Sequence, residues 1–198
     1  EEKIEVFMGN ATVVPTEVLE AAKGKDVVVE LNMGGYTWEI NGKDILASNL
    51  KDINLEVKMD SHAVPSNIVK ELAGDNPVKQ LSLTHNGNFG FKANLKINVG
   101  NEYKGKYGNL YYYDSDGKMV YMNAGKIDEN GNVVVSFSHA SDYVIVINDK
   151  NMAPSTNNKD VIKDTANHVN NLYGFVSIIL CISGAFMLLY TNKKKSEE

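Results

Sequence analysis

Short runs in which apolar and polar residues alternate, or in which apolar residues cluster, recur between turn signals through the first three quarters of the chain. This pattern predicts strands at residues 2–8, 26–31, 36–40, 53–58, 81–84, 89–98, 108–114, 119–126, 133–138 and 143–148. So many strands exceed what one open, one-sided sheet accommodates, and the fold class expected is mainly β, an antiparallel β-sandwich. Asp114-Ser115-Asp116-Gly117 and Asp128-Glu129-Asn130-Gly131 are hairpin connections, because Asx and Gly supply the positive φ of tight turns. They define a meander of strands over residues 108–138. No repeat of solenoid length is visible over residues 1–149.

Two segments switch to helical spacing, at 16–23 after Pro15 and at 66–73 after Pro65, closed by Gly24 and Gly74. Thr16 and Ser66 are the expected N-caps. Val18, Leu19 and Ala22 give the first helix an apolar face, and Ile68, Val69 and Leu72 do so for the second. Both are expected as lids over the ends of the sandwich.

The pattern changes beyond residue 148. Residues 149–172 are rich in Asn, Asp and Lys and poor in large apolar residues, the composition of a linker or stalk, with a short helix possible over 159–169. Residues 173–190, YGFVSIILCISGAFMLLY, carry no charge and as a helix would reach roughly 27 Å, close to the hydrocarbon thickness of a bilayer. Tyr173 and Tyr190 stand where interfacial aromatic residues are found, and Lys193, Lys194 and Lys195 follow. The flank before the span has no cationic cluster, so the positive-inside rule places the C-terminus in the cytoplasm and the β-rich part outside. The expected organisation is an extracellular β-sandwich module (1–148), a polar stalk (149–172), a transmembrane helix (173–190) and a cytoplasmic tail (191–198). The chain opens Glu1-Glu2-Lys3 with no apolar leader, and is expected to be the C-terminal piece or processed form of an exported protein.

Composition narrows the partners. The chain has 198 residues, 43% of them hydrophobic, and a formal net charge of -5, suiting an ordinary folded domain. All 20 basic residues are Lys, so the planar fork that favours phosphate and guanine is missing and nucleic acid is not an expected partner. The single cysteine, Cys181, lies inside the apolar run, which excludes a disulfide within the β-rich part and makes this residue an apolar filler of the span. The lipid bilayer is the partner expected directly.

The apolar span, lysine cluster and short tail resemble the wall-sorting signal of Gram-positive surface proteins. The nearest counterpart of its Leu-Pro-x-Thr-Gly motif is Met152-Ala153-Pro154-Ser155-Thr156, which lacks the Leu-Pro pair and the Gly, so a retained membrane anchor is expected rather than wall attachment. The succession PTEVLEAAKGKDVVVELNMGGYTWEINGKDI, VPSNIVKELAG and LSLTHNGNFGFKANLKINVGNEYKGKYGNLYYYDSDGKMVYMNAGKIDENGNVVVSFSHASDYVIVI is similar to a module near the C-termini of clostridial and related surface proteins. That resemblance implies a spacer between the membrane and upstream adhesive or carbohydrate-active domains, through which a surface carbohydrate or protein would be met. It implies no catalytic residue. Ser138-His139-Ala140-Ser141 also resembles the end of self-cleaving sandwich domains of the ZU5 and GAIN type. This implies cleavage at Ala140-Ser141 with His139 as base and Ser141 as nucleophile.

Other chemistry is sparse. Asp114-Ser115-Asp116-Gly117 opens like a calcium loop, but Gly125 stands where the loop needs Glu, so it is a turn. His62, His85, His139 and His168 have no ligand spacing, and no metal or cofactor is expected. No nucleophile elbow or phosphate-cradling glycine loop occurs, and the chain is not expected to be an enzyme. Tyr36, Trp38 and Tyr112, among neighbouring tyrosines, are the candidates for a sugar-stacking platform, the alternative function.

Overall fold

The computed structural model describes residues 2–154. In chain order it has strands β1 (Glu2–Phe7) and β2 (Val13–Val14), helix α1 (Thr16–Ala22), strands β3 (Val27–Asn32), β4 (Tyr36–Asn41), β5 (Ile53–Asn54) and β6 (Val57–Met59) and helix α2 (Ser66–Ala73). Strands β7 (Val78–Asn98), β8 (Tyr107–Tyr113), β9 (Met119–Lys126) and β10 (Asn132–Asn148) follow. Eight strands form one sheet in the order β1-β3-β4-β7-β10-β8-β9, with β6 also on β7, while β2 and β5 make a separate pair. The mainly β class and both helices match the expectation.

The sheet is organised by two long strands where the sequence predicts four short ones. β7 runs 21 residues and β10 runs 17. The first part of β7 pairs with β6, its last part pairs with β4, and β10 lies beside both parts. The expected break at Asn86-Gly87-Asn88 is instead a passage of continuous strand through Gly87 and Gly90, with φ of +84° and +80°. In β10 the same passage carries register shifts at Phe137/His139 and Ala140/Asp142. Such bulges bend a strand without ending it.

Two further expectations are corrected. β1 runs parallel to β3, so the sheet is not wholly antiparallel. The meander over 108–138 is also incomplete: among the described residues β9 has a ladder with β8 alone, and β10 joins the opposite side of β8. The Asp128 turn does form, its Oδ1 accepting the N–H groups of Asn130 and Asn132 at 2.9 and 2.8 Å. In place of a β9–β10 ladder, the Asn123 amide accepts from Ser136 N at 3.0 Å and donates to Ser136 O at 2.8 Å. Gly125 makes this approach possible, since a Cβ there would lie 2.1 Å from the Val134 carbonyl oxygen.

One large core collects Leu31, Trp38, Ile40, Leu81, Leu95, Val135, Tyr143 and Ile145, closed by Leu19 and Ala22 of α1. A second cluster lies on the other face of β10, where Val144 and Val146 meet Val64 and α2 residues Val69 and Ala73. Residues 143–147 of β10 are buried without alternation because both faces are covered. α2 therefore packs on a sheet face and is not a lid over an end of the core. The helices start at Thr16 and Ser66 as expected, but those residues are the first helical positions and not the caps: Pro15 and Pro65 are the N-caps, and neither supplies a side-chain cap. For α1 the missing acceptor comes from Asp52, whose Oδ1 takes the Thr16 N–H at 2.8 Å and the Thr16 hydroxyl at 2.9 Å. These two bonds hold the Asp52 carboxyl below the usual carboxylate range.

Candidate functional site

The segment leaving β10 is held to the sheet by side chains. Backbone groups that run past the end of a ladder still need partners. Asn109 on β8 is the one fully buried polar side chain among the described residues. Its Nδ2 donates to Lys150 O at 3.1 Å and to Val146 O at 3.4 Å, and its Oδ1 accepts from Met152 N at 2.7 Å. One amide donates two bonds and accepts a third, which neither a hydroxyl, with its single O–H, nor a carboxylate, which only accepts, could do. The Tyr121 hydroxyl donates to Asn151 Oδ1 at 2.8 Å, and Lys106 pairs with Asp149 at 3.2 Å. Residues 149–153, the start of the expected stalk, are thus fastened to the sheet, and the compact unit extends to Pro154.

Sequence reasoning passed over Asn109. Its signal was a polar residue inside Gly108-Asn109-Leu110, at an interior strand position where an apolar residue is usual.

The bend in β10 holds His139, Ala140 and Ser141 between the two register shifts. The His139 ring packs edge-on to Tyr112 at 4.7 Å and lies 5.7 Å from Tyr143, whose hydroxyl donates to His139 O at 2.8 Å. Burial pushes the His139 pKa down, and its Nε2 has no hydrogen-bond partner among the described residues. Burial likewise pushes the Tyr143 phenol up. The Ser141 hydroxyl turns to Tyr113 O at 3.5 Å, so the candidate base and nucleophile share the bend without a hydrogen bond between them. Asp60 is the only non-glycine residue with positive φ among the described residues, so Ala140 shows no strain of that kind. Next to the bend, Ser82 donates to Asp142 Oδ1 and lies 2.8 Å from the Ser61 hydroxyl.

The aromatic candidates are spread across different environments. Trp38 has no exposed surface: its Nε1 donates to Leu55 O at 2.8 Å, and its ring meets Phe137 edge-on at 5.5 Å. It has no face to offer a sugar. Tyr36 is half-buried, and its hydroxyl accepts from Val57 N at 2.9 Å and donates to Leu55 O at 3.4 Å. Tyr112 is packed against His139 and Tyr143. Tyr111 and Tyr121, both partly buried, pair edge-on at 5.6 Å elsewhere on β8 and β9. At the Asp114 turn, Asp114 Oδ1 accepts from the N–H groups of Asp116 and Lys118 at 2.9 and 2.8 Å, the bonding of a turn.

Among the described residues no helix is long and apolar enough to cross a membrane. The expected span, with Tyr173, Tyr190, Lys193, Lys194 and Lys195, lies outside the described residues. No family model, no curated protein and no solved structure matches the chain.

Proposed function

We propose that the chain is a non-catalytic, membrane-anchored module of the bacterial cell surface, a spacer that holds upstream adhesive or carbohydrate-active domains away from the lipid. The observation that carries this reading is the fastening of the outgoing chain by Asn109. Tension from an anchor would reach the fold along residues 149–153 and enter β10, a central strand flanked by β7 and β8. Load along a strand direction opposes many ladder hydrogen bonds together, and the Asn109 amide directs it there. The uncharged run 173–190 followed by Lys193, Lys194 and Lys195 supplies the anchor in this reading. The bent sheet is then a β-sandwich, with β7 and β10 passing from one layer to the other through their bulges.

Protease shaving of whole Gram-positive cells that export the chain, followed by mass spectrometry, tests the reading. Release of peptides from residues 1–154 with the tail 193–198 protected supports it. An unshaved domain overturns the topology, and a chain already divided between Ala140 and Ser141 replaces the spacer with a self-processing domain.

A further inference from the structure

Among the described residues strand β1 is an open edge: it pairs with β3 alone, in unbroken register over all six residues, and contains no Pro, Gly or bulge to blunt it. On one face Ile4 and Val6, with Val18 and Ala21 of α1 and Val27 and Val29 of β3, line a groove of about 580 Å³. Ile4 remains 45% exposed there. On the other face Glu5 stands level with Glu30, and Glu30 with Glu39, so carboxylates occupy directly opposed positions on three neighbouring strands. Like charges so placed are destabilising. Lys3 reaches Glu30 and relieves the middle of this row. Glu5 ends the row at the open edge, where a further strand would bring its side chains within about 5 Å.

We propose that β1 pairs antiparallel with β1 of a second copy about a twofold axis at Ile4, joining the two sheets edge to edge. In that register each Lys3 stands opposite Glu5 of the other copy, Ile4 faces Ile4, and Glu2 faces Val6. The charge sequence of β1 selects this arrangement. Sliding to the next register that keeps both apolar faces on the same side sets Glu5 against Glu5 in one direction and Lys3 against Lys3 in the other. Only pairing centred on Ile4 is complementary, and it places one cation beside each end carboxylate while the two Ile4 side chains cover each other. Such an interface is isologous, the commonest symmetry of soluble dimers. It is independent of the spacer reading.

Sedimentation of the full chain in an uncharged detergent tests the pairing. The wild type is expected at twice the mass of a single chain, and Glu5→Lys or Lys3→Glu alone at the single-chain mass, with association weakened at least about tenfold. Mixing these two variants is expected to restore the dimer, because every Lys then faces a Glu. The double variant Lys3→Glu/Glu5→Lys, which exchanges the charges within one chain, is expected to dimerise as the wild type does. A monomeric wild type, a dimer indifferent to both single substitutions, or a mixture and double variant that stay monomeric would each overturn the proposal.

Discussion

The side-chain carbonyl of Asn109 accepts the backbone N–H of Met152 at 2.7 Å, so a fully buried amide on β8 fixes the segment that leads out of the domain. Replacing it removes partners from the backbone of Lys150 and Met152 together. Asn109→Leu is expected to cost about 1–3 kcal/mol, the sum of two lost hydrogen bonds at about 0.5–1.5 kcal/mol each. Cleavage after Lys150 by a lysine-specific protease should also accelerate severalfold. Tyr121→Phe removes only the bond to Asn151 and is expected to show a much smaller effect in the same assay. Equal protection of Lys150 in wild type and Asn109→Leu would remove the clamp from the account.

Trp38 fills the centre of the main core between Phe89 and Phe137, with its indole N–H satisfied by Leu55 O. Trp38→Ala is expected to destabilise by about 3–5 kcal/mol, as other large-to-small core changes do. Trp38→Phe keeps most of the volume and should cost less. Denaturant unfolding followed by circular dichroism gives both values.

The contact between β9 and β10 depends on the missing side chain of Gly125. A methyl group there must push Val134 away, and Gly125→Ala is expected to cost about 1–3 kcal/mol through overpacking. Thermal unfolding measures it, and an unchanged midpoint would show that the two strands separate freely.

His139 makes stability depend on pH. Burial against Tyr112 and Tyr143 lowers its folded-state pKa below the ordinary value of 6.5. The unfolded chain therefore binds the proton more readily, and this contribution is complete above about pH 6.5 and declines as the pH falls below it. His139→Gln, which has no charge to acquire, is expected to lose less stability than the wild type between about pH 8 and pH 5.5. Identical declines in the two proteins would place the titration elsewhere.

Local chemistry made much of this fold legible. The segments after Pro15 and Pro65 are helices, and both Asx–Gly turns form through the Asp114 and Asp128 carboxylates. Long-range arrangement was not legible. Gly87 and Gly90 carry the backbone freedom of a turn, and only the partners on β10 convert that freedom into a bend within one strand. The Asp128 turn suggested that β9 and β10 pair, but a turn sets direction only; β8 takes residues 143–148 of β10, and beside residues 132–137 the Asn123 side chain bonds the Ser136 backbone in place of a ladder. The parallel pairing of β1 with β3 has no local signature, since the intervening β2 and α1 form the crossover. At the candidate site, His139 and Tyr112 were identified separately, whereas their ring contact and the role of Asn109 depend on residues more than 25 positions away in sequence.

In the proposed function, residues beyond 172 hold an outward-facing domain at the membrane. The most direct test compares the exported full chain with one ended at Leu172, following cell-bound and released protein together with the thermal unfolding of the β-rich part. The full chain is expected to stay in the washed membrane fraction, while the shortened chain appears in the medium with the same unfolding midpoint. A shortened chain that remains on the membrane, or a full chain found in the medium, would contradict it.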